Sequence, residues 1–158
     1  MIDLHNHILP GIDDGAPDMA QSIEMARILV AEGFSGVVAT PHYGRSGFIT
    51  DVKQARNLTR ILNERLVSQR IGLHVHLGME LHITPELMDL LAAGKVVTIN
   101  NGRYVLMELP VMLVPAGLDN LIRAMVNAGY KIIIAHPEKN MYIQIRPDYL
   151  FEMMNQFE

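Results

Sequence analysis

Apolar and polar positions along this chain switch repeatedly between a period of two and a period of about 3.6, and the switches mark out strands and helices in succession. Residues 2–7 alternate as a strand does, with Ile2 and Leu4 packing on one face and His5 and His7 together on the other. Pro10, Gly11, Asp13, Asp14 and Gly15 break that strand into a loop that hangs carboxylates over the two histidines. Pro17 and Asp18 open a helix with Met19, Ile23, Ala26 and Val30 inward, closed by Gly33. Gly36-Val37-Val38-Ala39-Thr40-Pro41-His42 is a short apolar strand stopped by proline. Asp51 begins a longer helix with Val52, Ala55, Leu58, Leu62 and Leu66 inside, and residues 73–80 form a third strand ending in Glu80.

Thr84 and Pro85 read as the cap and first turn of a short helix that ends at Gly94. Residues 96–99 and 104–109 are strand-like, and the Asn101-Gly102 pair between them predicts a hairpin. Pro115 starts a helix with Leu118, Leu121, Ile122 and Met125 inside, closed by Gly129. The run from Tyr130 to Pro137 is solidly apolar, as expected of a parallel strand covered on both faces. A last helix uses Leu150, Met153, Met154 and Phe157. About five β-α units in a row predict an α/β fold with right-handed crossovers and a parallel sheet.

Composition narrows the function more than the fold. The 158 residues are 49% hydrophobic, enough for one domain, and such a domain buries roughly 70% of its extended surface. The net charge is -4 with Lys and Arg scattered, so the basic footprint of a nucleic-acid binder is missing. The absence of cysteine removes disulfides, thiolate zinc sites and cysteine nucleophiles. The first residues carry no basic leader, and no apolar run reaches the roughly 18 residues of a membrane span, so no membrane insertion and a cytoplasmic location are expected. The 11 methionines, among them Met19, Met25, Met125, Met153 and Met154, fall at core spacings and read as packing.

The chemistry lies in what stands at the strand ends. His5 and His7, then His42, Glu80, Glu108 and His136 each fall at the C-terminal edge of a predicted strand, where parallel β/α folds assemble their sites. Imidazole plus carboxylate without sulfur suits manganese, iron, zinc or cobalt, and a bridging glutamate allows more than one ion. His74 and His76 sit earlier in their strand and, with His82, read as non-ligands. Asp13 and Asp14 either assist proton transfer or shape the loop, Lys139 is a candidate phosphate contact, Arg45 lies in a loop beside the site and reads as a solvated arginine ahead of a substrate contact, and Asp3 has a structural role.

His5-x-His7 with Leu9-Pro10-Gly11-Ile12-Asp13-Asp14-Gly15, the Ala39-Thr40-Pro41-His42 segment, Gly78-x-Glu80, Glu108-Leu109-Pro110 and Ala135-His136-Pro137-Glu138 resemble the bacterial capsule-type tyrosine-protein phosphatases of the polymerase and histidinol phosphatase (PHP) superfamily. The resemblance runs through the whole chain. It implies a distorted (β/α)7 barrel with a centre of up to three ions, usually manganese, held by His5, His7, His42, Glu80, Glu108 and His136. It also implies a phosphotyrosine protein as substrate, a bacterial tyrosine kinase governing capsule or exopolysaccharide export. Hydroxide generated at the ions would attack phosphorus directly, with Asp14 and Lys139 as the catalytic candidates.

The family pattern differs in two places. Lys139 stands where the family carries an arginine, keeping the charge but losing the bidentate fork. The family's late Ser-Asp-Ala-His segment is not in these 158 residues. Residues 1–158 are therefore read as a PHP-type phosphatase domain lacking its C-terminal portion: an incomplete barrel with an exposed edge that invites pairing with a second copy. Two other readings are a small-molecule phosphoesterase of the histidinol-phosphatase kind and a non-catalytic metal-binding module.

Overall fold

The computed structural model describes residues 1–45 and 47–156, so Ser46 in the Arg45 loop and the core position assigned to Phe157 lie outside the described residues. The fold is mixed α/β, with every strand pairing parallel in two adjoining sheets. β1 (Ile2–Asn6), α1 (Met19–Ala31), β2 (Gly36–Ala39), β3 (His42–Tyr43), α2 (Val52–Ser68), β4 (His74–Leu77), β5 (Glu80–His82) and α3 (Leu87–Ala92) come first. β6 (Tyr104–Glu108), α4 (Leu118–Asn127), β7 (Lys131–Ala135), α5 (Met141–Ile145) and α6 (Asp148–Gln156) follow. One sheet has the order β1-β2-β4 and the other β3-β5-β6-β7.

Two predicted strands are thus each broken in two, and the breaks lie side by side. Thr40 and Pro41 separate β2 from β3, proline having no N–H to give the ladder. Gly78 and Met79 separate β4 from β5. Gly78 N–H donates to Ala39 O at 2.8 Å and Glu80 N–H to Pro41 O at 3.1 Å, so the chains stay joined across the bend. A Cβ on Gly78 would come within 3.0 Å of Val38 Cγ1, which explains the small residue there.

Helix boundaries follow the caps. Asp18 accepts from Gln21 N–H and Asp51 from Gln54 N–H, each at 2.9 Å, an arrangement worth about 1 kcal/mol per helix. The core between helices and sheets contains Val37, Leu62, Leu66, Met79, Leu81, Met107, Leu118 and Met125, all at most 2% exposed. Burying side chains of this size contributes about 1.5–3 kcal/mol each.

Several sequence expectations give way. Ile2 and Leu4 are 58% and 47% exposed rather than packed, because β1 pairs with β2 alone and its outward face is left uncovered. Val30 is exposed; the last turn of α1 offers Leu29 to the core instead. The hairpin does not form. Asn100 and Asn101 do make a left-handed turn at φ 50° and 53°, but β6 leaves it to run parallel to both β5 and β7, and residues 96–98 form no strand.

Thr84 shapes the turn before α3 rather than capping it, its hydroxyl accepting from Glu86 N–H at 3.2 Å. α4 starts at Leu118 after Gly117, whose φ of 85° only glycine adopts freely. β7 is not covered on both faces: Ile132, Ile133 and Ile134 are half-buried, since β6 is its only strand neighbour among the described residues. Met125 and Met153 are buried as expected, whereas Met154 is 53% exposed. Pro147 splits the last helical region into α5 and α6, which the apolar spacing did not reveal.

Candidate metal centre

His5 and His7 leave β1 on one face, their ring centroids 5.3 Å apart and their Nε2 atoms 3.3 Å apart. The following loop folds back on them: Ala16 N–H donates to His7 O at 3.0 Å and Gly11 N–H to Ala16 O at 2.7 Å. At its centre Asp13 Oδ2 lies 2.7 Å from His7 Nδ1 and accepts from His42 N–H at 3.1 Å, while Oδ1 accepts from Gly15 N–H at 3.0 Å. A Cβ on Gly15 would sit 2.1 Å from His7 O, so no other residue fits this close crossing.

Glu80 is the hub. Its side chain is fully buried, and Oε2 lies 3.0 Å from His5 Nε2, 3.1 Å from His7 Nε2 and 3.1 Å from His42 Nδ1. Its other oxygen meets His136 Nε2 at 2.6 Å. His136 follows β7 in a left-handed conformation, φ 30°, that turns its ring back over the sheet end. Glu108, at the end of β6, lies 3.6 Å from His136 Nε2 through Oε1. Asp14 Oδ1 is 3.4 Å from His42 Nε2. The six strand-end residues named from the sequence are therefore gathered at one spot, and Asp14 and Lys139 line the same cleft of about 360 Å³.

The electrostatics record how tightly the groups are held. Burial alone would lower the His7 pKa, but the neighbouring carboxylates of Asp13 and Glu80 outweigh it and raise the value to about 9. Burial opposes the charge of Glu80 as well, yet the imidazoles of His5 and His7 hold its carboxyl far below the usual range. Asp13 is lowered against its burial by His7 and by two backbone N–H groups. His42 goes the other way: burial lowers its pKa, and Glu80 does not compensate.

The donor atoms fit a divalent metal. His42 Nδ1 and Glu80 Oε2 are buried and make no hydrogen bond among the described residues, although they face each other at 3.1 Å. Buried polar atoms are rarely left so, and a cation between them would satisfy both. Three overlapping groups, His5/His7/Glu80, His7/Asp14/His42 and His42/Glu80/Glu108, each bring their donor atoms within 4.8 Å of one another. Separations near 3 Å are those of neighbouring ligands around an ion with bonds of about 2.1 Å.

Three contributors were not anticipated. Arg45 Nη1 lies 2.8 Å from Glu108 Oε1 and lines the cleft, its side chain only part-exposed rather than free in solvent. His82 Nδ1 meets Glu108 Oε2 at 3.2 Å; two residues beyond Glu80 in β5, it shares that residue's face, so alternation alone pointed there. The third is the detail of Asp13: of the two roles the sequence left open for it, the structure shows the loop-shaping one, through the turn to Gly15 and the contact with His7. His74 and His76 lie on β4, away from the cluster, and Asp3 accepts from His5 N–H and Asn6 Nδ2 at the strand start.

The family model described as "Capsular polysaccharide synthesis, CpsB/CapC" matches residues 1–156. The chain belongs to the CpsB/CapC family. Within that family it is 39% identical over 154 residues to the tyrosine-protein phosphatase YwqE of Bacillus subtilis, covering 98% of this chain and 61% of YwqE. It is 22% identical over 155 residues to the tyrosine-protein phosphatase CpsB of Streptococcus agalactiae, covering 98% of this chain and 64% of that protein. A solved chain from the crystallography of YwqE and of CpsB from Streptococcus pneumoniae, described there as unique metal-dependent tyrosine phosphatases, superposes with a TM-score of 0.94 at 39% identity. That match covers 98% of this chain and 62% of the solved one. The chain thus spans about three fifths of the length of these CpsB/CapC relatives. No helix among the described residues is long and apolar enough to cross a membrane.

Proposed function

We propose that the chain forms the metal-binding body of a manganese-dependent protein-tyrosine phosphatase, with His5, His7, His42, Glu80, Glu108 and His136 as ligands. One observation carries this reading: a buried carboxylate oxygen of Glu80 ringed by three imidazole nitrogens at 3.0–3.1 Å, without hydrogen bonds to account for the crowding. The two sheets read as strands of an incomplete PHP-type barrel, and Asp14 completes the second ligand group. The donor set accepts iron, cobalt or zinc as well as manganese.

Bound ions supply charge neutralisation to the phosphate and a lowered pKa to water. The chain's own residues do the rest. Lys139 and Arg45, both lining the cleft, offer two cations to the phosphate oxygens, one as a point charge and one as a planar fork held by Glu108. Asp14, exposed at the mouth, adds a carboxyl group beside the leaving phenolate, whose pKa near 10 demands little protonation. No nucleophilic side chain is needed. The family's place in capsular polysaccharide synthesis supports a phosphorylated bacterial tyrosine kinase as the substrate.

The test is hydrolysis of a phosphotyrosine peptide with Mn2+, with chelator, and with His136→Ala. Turnover that requires Mn2+ and disappears in both controls is expected. Turnover indifferent to chelator overturns the reading, and metal binding by a folded protein without turnover leaves a metal-binding module.

A further inference from the structure

We infer that Asp13 is a positioning residue for the metal centre, holding His7 in the orientation and tautomer that present Nε2 to a cation and tying His42 into place beside it. The inference rests on the proposed metal-dependent function and goes beyond it by assigning a residue that belongs to none of the three ligand groups.

The Asp13 carboxylate is wholly buried and fully used. It meets His7 Nδ1 at 2.7 Å, accepts from His42 N–H at 3.1 Å and accepts from Gly15 N–H at 3.0 Å. His7 Nδ1 is the ring nitrogen away from the cluster; Nε2 is the one that faces His5 and Glu80. A carboxylate only accepts, so the ring hydrogen of a neutral His7 is kept on Nδ1 and the Nε2 lone pair is left for the cation. The carboxylate cannot draw back, because the loop crosses His7 where even a Cβ on Gly15 would collide with the backbone.

The second hydrogen bond reaches across the fold. His42 stands just after the β2–β3 break, and its N–H is taken by Asp13. One carboxylate thereby fixes a ring from the end of β1 and the backbone of β3. The two rings it governs lie 4.6 Å apart and share a ligand group with Asp14. An asparagine at position 13 has one acceptor oxygen for three donors. Turning its amide nitrogen toward His7 moves the ring hydrogen to Nε2; turning it toward Gly15 sets two N–H groups face to face.

Calorimetric titration of the protein with Mn2+, paired with chemical denaturation in chelator, separates this role from a structural one. Asp13→Asn is expected to weaken Mn2+ binding by about 10–100-fold. Asp51→Ala, which removes the α2 cap, is expected to lower the denaturation midpoint in chelator and leave Mn2+ affinity unchanged. Should the asparagine variant not reach a folded baseline, Asp13→Glu is titrated in its place, with about a 10-fold loss expected from the displaced carboxylate. Unchanged Mn2+ affinity in the folded variant overturns the role of Asp13. Failure of the unsubstituted protein to bind Mn2+ overturns the metal-dependent reading itself.

Discussion

The rim of strand ends and the apolar body beneath it are built by opposite rules. In the body, Leu62, Leu66, Met107 and Leu118 belong to one cluster of buried apolar side chains. At the rim, Glu80, His42, His7 and His136 crowd together at distances that strain their electrostatics, and two of their buried atoms lack hydrogen-bond partners. The body is packed for the folded chain alone, whereas on the proposed reading the rim is built to receive an ion. Function and stability are therefore expected to respond to different substitutions.

Glu80→Gln is the sharpest way to separate the two. Losing the charge at the hub is expected to reduce Mn2+-dependent phosphotyrosine hydrolysis on the order of 10³-fold. The metal-free denaturation midpoint at pH 7 should fall as well, because the imidazoles of His5 and His7 lose the charged carboxylate they stabilise, while the loss of turnover should persist at temperatures where the variant is folded. An unchanged midpoint would mean that the rim adds nothing to the fold until an ion binds. Leu62→Ala tests the converse. Its side chain is fully buried between α2 and the sheets, and truncation is expected to cost about 3 kcal/mol by denaturant titration, with Mn2+ affinity kept at temperatures where the protein is folded.

The smallest effect is a pH dependence confined to the rim. His7 rises from 6.5 to about 9 in the folded chain, so its contribution is whole below pH 6.5 and is lost as pH climbs through 9. Glu80 is lowered from 4.5, so its contribution is present above that value and is lost on acidification. His42, lowered from 6.5 by burial, also loses its contribution on acidification, so in chelator stability should be highest near pH 6.5, fall below it, and fall on the order of 2 kcal/mol toward pH 10. With Mn2+ bound the alkaline fall should flatten, since the ion takes the place of the proton on His7. A flat profile in chelator would break the comparison.

The rim was more legible in the sequence than the body. His5, His7, His42, Glu80, Glu108 and His136 could be brought together from one rule, that parallel strands converge at their C-terminal ends. What that rule could not give was the support around them. Arg45 reaches Glu108 from a loop, and Asp13 grips His7 through a turn, both set by tertiary geometry rather than periodicity. In the body, apolar spacing found α1, α2 and α4 but misjudged β1 and β7. Burial of a strand face depends on its neighbours, and among the described residues β1 and β7 each have a single strand neighbour, which leaves Ile2, Leu4 and the isoleucines of β7 part-exposed. The hairpin expectation failed for a related reason. Asn101-Gly102 encodes a reversal but not a partner, and β6 found better pairing in β5 and β7.

The double break at Thr40-Pro41 and Gly78-Met79 leaves two mechanical plates where a continuous sheet would have been one. His5 and His7 extend from the first plate, while Glu80, Glu108 and His136 ride on the second. An ion shared by His5, His7 and Glu80 is then a rivet through both. The plates already share backbone hydrogen bonds and one apolar core, so the rivet is expected to sharpen an unfolding transition rather than create it, and the steepness of unfolding with Mn2+ against chelator becomes a gauge of site occupancy.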